Sequence, residues 1–175
     1  MTEKKKENTL RLEEATLDDI PALTETAWWD EANGGDMREK KAFQRFVEVV
    51  DVSSSAARGR PRIAAWAKWD TSMPAERGRR YPPWAGDMPS EGERGRVMGE
   101  ERHYYLDTLV THPDYQRRGA ASMLLAWGCA LADEDGVAAY VDASKAGAPL
   151  YERFGFVDES LEGDGDVASM VRRRR

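Results

Sequence analysis

The stretch Leu109-Val110-Thr111-His112-Pro113-Asp114-Tyr115-Gln116-Arg117-Arg118-Gly119-Ala120-Ala121-Ser122 joins an apolar strand to a helix through a basic turn. Upstream of the turn, His103 to Thr111 is apolar and aromatic on both faces, the pattern of a central strand covered on two sides. Pro113 to Gly119 reads as the turn itself. Ala120 to Asp135 reads as a helix, with Ala121, Leu124, Leu125, Gly128, Leu131 and Ala132 on one stripe. The first amides of a helix have no intrahelical partners and carry partial positive charge, so they form an anion site. Gly119 admits close backbone approach, and Ala120 and Ala121 keep the rim small. Arg117 and Arg118 supply charge-assisted bonds to phosphate. The pattern is a pyrophosphate cradle without the lysine of a Walker motif.

Working outward, Gly136 ends the helix and Val137 to Ala143 reads as a strand. Ser144 is placed to cap a short helix running through Phe154, which Gly155 stops. Phe156-Val157 and Val167 to Val171 read as closing strands. Toward the N-terminus, Thr9 to Glu14 alternates with Leu10 and Leu12 on one face, as a strand does. Thr16 and Asp19 resemble a capping box for a helix through Ile20, Leu23, Ala27 and Trp28, broken at Gly34-Gly35. Met37 to Phe46 reads as a second helix, and Val47 to Val52 and Arg62 to Trp69 as strands. Asp70 to Gly95, rich in Pro, Gly, Arg and Glu, reads as a long loop. The order β-α-α-β-β, loop, β-α-β-α-β predicts an α/β (mixed α+β) domain: a mixed sheet with helices on both faces.

Composition bounds the function. The 175 residues suit one domain able to bury roughly 70% of its unfolded surface. The expected organisation is a polar N-terminus (1–8), one domain (9–171) with a lid-like loop (70–98), and a solvated basic tail (172–175). Cys129 is the sole cysteine, so no internal disulfide framework exists. With only His103 and His112 beside it, the soft ligands are too few for a structural zinc site, and no metal is expected. A net charge of -6 argues against nucleic acid as a partner. Met1 to Leu10 has no apolar h-region, and no apolar run approaches the roughly 20 residues of a membrane helix. The expectation is a cytoplasmic protein with no membrane partner.

Two motifs match one family. Gln116-Arg117-Arg118-Gly119-Ala120-Ala121 fits the Q/R-x-x-G-x-G/A signature of the GNAT N-acetyltransferases. Leu150-Tyr151-Glu152-Arg153-Phe154-Gly155-Phe156 resembles that family's second element, a tyrosine before a helix end and a Gly-Phe pair. Asp142-Ala143-Ser144-Lys145-Ala146-Gly147 resembles the family's fungal branch. The likeness is sharp from about His103 to Val157 and looser upstream. It implies a mostly antiparallel sheet whose central parallel strands splay apart. It also implies acetyl-CoA as cofactor, CoA as product and, in many members, a homodimer.

On that resemblance the pyrophosphate lies on the amides of Arg117, Arg118, Gly119, Ala120, Ala121 and Ser122, beside Gln116. The pantetheine arm runs along the backbone of Leu109, Val110 and Thr111. Ser144 stands where the family often has an asparagine that contacts the arm. Thioester aminolysis needs an amine that has lost its proton, a donor to the oxyanion worth about 3–4 kcal/mol, and a proton for the leaving thiolate. Tyr151 matches the family's acid, a phenol with an ordinary pKa near 10. The amide near Leu109 or Val110 is the expected oxyanion donor. Strand alternation puts Tyr105, Asp107 and Leu109 on one face. Family bases often stand at positions matching Tyr105 or Asp107, which makes Asp107 the candidate base, acting directly or through water.

Trp28 and Trp29 are candidates to line an acceptor pocket together with Tyr105, while Trp66, Trp69 and Trp84 read as core or sheet cover. The acceptor expected is a small-molecule primary amine that attacks directly in a ternary complex. A protein or peptide acetyltransferase and a non-catalytic acyl-CoA-binding module remain the alternatives.

Overall fold

The computed structural model of the chain describes residues 9–16, 43–54, 59–73, 89–161 and 165–174. Among the described residues seven strands form one sheet: β1 (Leu10–Glu14), β2 (Gln44–Asp51), β3 (Arg62–Asp70), β4 (His103–Thr111), β5 (Ala138–Ser144), β6 (Val157–Asp158) and β7 (Val167–Arg172), in the order β1-β2-β3-β4-β5-β7-β6. β4 is the middle strand, as its two-sided apolar pattern requires. It pairs in parallel with β5, and every other neighbouring pair is antiparallel. The mixed, mostly antiparallel sheet with a central parallel pair is therefore present.

Helices cover both faces. α1 (Pro89–Met98) puts Val97 and Met98 against Ala138, Tyr140 and Val171. On the other face, α2 (Ala120–Glu134) buries Leu124, Leu125, Cys129 and Ala132 in the main core, which also holds Val47, Val49, Ala67, Trp69 and Leu106. α3 (Ala148–Glu152) adds Tyr151 to that core.

The parallel ladder is short. Only His103, Tyr104 and Tyr105 pair with Ala138, Ala139 and Tyr140. Beyond that point β4 runs on to Thr111 paired with β3, and β5 runs on to Ser144 paired with β7. The two central strands thus splay from Leu106 and Val141 onward and leave a gap between them.

The structure corrects several expectations. Phe43 lies in a turn and Gln44–Phe46 already belongs to β2, so the second helix does not reach Phe46. Pairing of Phe46 with Lys68 and of Val47 with Ala67 outweighs the local helical spacing. The end of the supposed 70–98 loop is a helix, α1. Its two glycines hide it in the composition, and packing under Tyr140 and Val171 secures it. Arg172 is no solvated tail residue: it is buried at the end of β7, paired through both guanidinium nitrogens with Asp133 at 2.6 and 2.8 Å. The readings at Thr16–Asp19 and Ile20–Trp28 lie outside the described residues or run into them. No helix among the described residues is long and apolar enough to cross a membrane.

Candidate active site

Two residues of the turn after β4 have positive φ: Arg117 at 59° and Gly119 at 92°. They bend the chain so that α2 starts with Gly119 as its cap and with no side-chain bond closing that end. The first bond back into the turn is from Met123 N to Gly119 O at 3.1 Å. The amides of Ala120, Ala121 and Ser122 precede it and by helix geometry have no carbonyl to meet. Ala120 is buried, while Gln116, Arg117, Arg118 and Gly119 are exposed.

Arg118 is held in place. Its guanidinium stacks 4.6 Å from the Tyr115 ring centroid and lies 3.6 Å from Asp51. Hydrogen bonds from Ser53, then Thr9 and Tyr115, hold the Asp51 carboxyl well below the usual carboxylate range. The sequence offered no signal for Asp51, which reaches the cradle from β2.

The gap has two distinct faces, because β4 carries a bulge. Lys68 pairs with Thr108 and Trp69 with Leu106, which leaves Asp107 as the extra residue. One inserted residue flips the alternation. Leu109 therefore packs with Leu106 in the main core, while Tyr105 joins the opposite face with Tyr140. The expectation that Tyr105, Asp107 and Leu109 share a face is corrected by this bulge. Val110 turns to the Tyr105 side, against Trp66, and Thr111 pairs with Ala65.

On the main-core face stands Tyr151. It shares the cluster with Leu106 on one side of the gap and Val141 and Ala143 on the other. Its ring meets Phe156 edge-on at 5.8 Å. Burial pushes its hydroxyl up to about 12, so it stays protonated. Ser144 Oγ accepts from Gly147 N at 3.2 Å, which commits it to the turn before α3.

On the opposite face, at the mouth of the gap, lies a polar group in an apolar surround. Tyr140 donates to Asp142 at 2.6 Å and Tyr105 donates to the same carboxylate at 3.2 Å across the strands. Tyr140 Oη also lies 3.2 Å from Ser169 Oγ. Burial pushes both tyrosine hydroxyls well above their ordinary value and raises the Asp142 carboxyl. Asp107 is more exposed, and its carboxylate lies 2.6 Å from Lys68 Nζ. Arg94 of α1 stacks over the Tyr105 ring at 4.5 Å. The residues expected at the site include none of Tyr140, Asp142, Lys68 and Arg94. A signal existed for Asp142, a charged residue inside an apolar central strand.

The other expected residues fall away from this group or outside view. Trp28, Trp29 and Trp84 lie outside the described residues. Trp66 and Trp69 are buried, and His103, also buried, bonds through Nδ1 to the Glu101 carbonyl at 2.6 Å. Cys129 is buried and its thiol is pushed up to about 11 by burial. Among the described residues no group of three or more His, Cys, Asp or Glu could hold a metal ion.

An unpaired strand edge leading to a cap-free helix start is a site for a long ligand with an amide-bearing arm and a phosphate end. Such an edge beside such a helix start suits the pantetheine arm and pyrophosphate that the family resemblance implies. Residues 63–156 match the model of the Acetyltransferase (GNAT) family, and this chain belongs to that family. It is 31% identical over 124 residues to "Uncharacterized N-acetyltransferase YafP" of Escherichia coli K12, covering 70% of this chain and 75% of that protein. It is 34% identical over 70 residues to an "Acetyltransferase" of the fungus Stachybotrys chartarum, covering 38% of this chain and 30% of that one.

Solved structures share the fold. Arabidopsis thaliana NAA60 in complex with acetyl-CoA matches with a TM-score of 0.61 at 15% identity, over 93% of this chain and 96% of that one. Mosquito arylalkylamine N-acetyltransferase like 5b matches with a TM-score of 0.65 at 14% identity, over 94% and 99%. The chain is thus an acetyltransferase of the GNAT type that uses acetyl-CoA. The open β4 edge and the cap-free start of α2 fit that group.

Proposed function

We propose that this enzyme acetylates the primary amine of a small molecule by direct attack in a ternary complex. The observation that carries the reading is the group at the mouth of the gap: Asp142 bonded by Tyr105 and Tyr140, with Arg94 of α1 over the Tyr105 ring. A carboxylate set among aromatic rings suits a small organic cation. The structural neighbours include both an arylalkylamine and a histone acetyltransferase, so they do not choose between the two.

Bound acetyl-CoA supplies the activated acetyl group. The amides of Arg117 to Ser122 hold the pyrophosphate end, with Gln116 at the rim. The backbone of Leu109, Val110 and Thr111 orients the arm along the open edge, and an amide of Leu109 or Val110 stabilises the charge that develops on the carbonyl oxygen. Tyr151 delivers a proton to the departing sulfur from the main-core face. Asp107 and Tyr105 line the acceptor side, with the Asp107 carboxylate against Lys68.

The test is CoA release with phenethylamine, spermidine and a lysine peptide as acceptors. Turnover of one of the small amines at least tenfold above the peptide supports the reading. Turnover of the peptide alone reverses the acceptor class. Acetyl-CoA binding with no turnover of any acceptor favours a binding module.

A further inference from the structure

We propose that Asp142, presented by Tyr105 and Tyr140, binds the acceptor ammonium and takes its proton. The inference rests on the amine-acetylating function above and names a catalytic residue for it.

The placement follows from the ladder. Tyr105 and Tyr140 form the last pair between β4 and β5. Two residues further along β5, on the same face as Tyr140, comes Asp142, the first β5 side chain of that face beyond the ladder. Its carboxylate therefore stands where the strands part, on the face opposite Tyr151. An acid and a base on opposite faces of one gap are what aminolysis requires. The amine enters from one side of the acetyl carbonyl and the sulfur collects its proton on the other.

Asp142 and Asp107 differ in their partners. Asp107 faces a lysine ammonium at 2.6 Å. Asp142 is bonded by two neutral phenols, and its other charged neighbours are Arg94 and Glu93 of α1. Asp107 of β4 acts on the same Tyr105 hydroxyl, and Ser169 of β7 stands behind Tyr140. Two phenol donors leave a carboxylate further lone pairs with which to accept from an ammonium. Burial raises the carboxyl's affinity for a proton above that of an ordinary aspartate, which suits it to accept one from the ammonium.

The proton balance is simple. The Asp142 carboxylate takes one proton from the ammonium and later returns it to solvent. The amine lone pair forms the C–N bond to the acetyl carbon, and the C–S bond breaks with its electrons on sulfur. The sulfur takes a proton from Tyr151, and Tyr151 recovers one from the amide nitrogen as it loses its second proton.

The experiment uses the full chain, with phenethylamine and spermidine as acceptors and calorimetry for acetyl-CoA binding. Asp142→Asn is expected to keep the wild-type affinity for acetyl-CoA within twofold. Its kcat/KM for the amine is expected to fall about 100-fold, the range for a lost general base, and to lose its acid limb. Asp107→Asn is expected to lose less than tenfold. Tyr140→Phe provides a second readout. Removing a hydrogen bond that favours the carboxylate moves the acid limb to higher pH, which a purely structural residue would not do.

An Asp142→Asn enzyme within threefold of wild type, with its acid limb intact, overturns the proposal and leaves the amine-acetylating function standing. So does a Tyr140→Phe limb that stays in place or moves down. If the wild-type chain turns over neither amine, the parent function falls and this proposal falls with it.

Discussion

Gly128 of α2 lies flat against Trp69 of β3: a Cβ built on Gly128 would fall 2.1 Å from Trp69 Cζ2 and 2.2 Å from Cε2. Trp69 is fully buried, so its ring has nowhere to retreat. The helix that starts at the cradle is seated on the sheet through this contact. Gly128→Ala is expected to destabilise by about 1–3 kcal/mol through overpacking. At about 2–4 °C per kcal/mol for a chain of this size, a thermal melt reads the change directly. An unchanged Tm would show that the helix shifts freely on the sheet.

Gly119 has φ of 92° and open space around its Cβ position, so only the backbone opposes a side chain there. Gly119→Ala is expected to cost about 1–2 kcal/mol of backbone strain. The variant should melt lower, and if the turn relaxes instead, acetyl-CoA affinity should fall, about tenfold for each 1.4 kcal/mol. Calorimetry and melting together separate the two; a variant unchanged in both would remove Gly119 from the cradle.

Tyr151 makes no hydrogen bond through its hydroxyl among the described residues, while its ring packs on Phe156. Tyr151→Phe should therefore keep the fold and the KM for acetyl-CoA. Its kcat should drop about 100-fold, the lower end for loss of a general acid. Steady-state CoA release measures it, and an undiminished kcat would strip Tyr151 of that role.

Asp51 has its carboxyl depressed by bonds from Ser53, Thr9 and Tyr115. A depressed folded-state pKa means stability that is present above the unfolded value of 3.8 and is lost as pH falls through the folded one. Asp51→Asn should thus flatten the acid limb of the stability curve below pH ~4. It also frees Arg118 of its counter-charge. Urea melts across that pH range check the first effect, and the salt dependence of CoA binding checks the second.

Much of the fold was legible because its signals are local. The turn from Gln116 to Ala121 carries its own conformational demand at Gly119, and the apolar stripe of α2 repeats at helical spacing. The centre of the sheet was legible from the two-sided pattern of His103 to Thr111. Other parts were not. Phe46 and α1 answer to partners distant in sequence, Lys68 for the first and Tyr140 with Val171 for the second. Arg172 reads as one of a run of arginines until Asp133 is found beside it.

The sequence by itself determined the family, its cofactor and the turn before α2, since a glycine-bearing turn before a helix is a property of a few adjacent residues. Tertiary structure alone decided which side chains share the mouth of the gap. The bulge at Asp107 reverses the alternation of β4, and an inserted residue shows itself only against the strand it is paired with. The same ladder ends at Tyr105 and Tyr140, and that ending sets Asp142 at the mouth of the gap. Register is a relation between two strands, and no single strand's residues encode it.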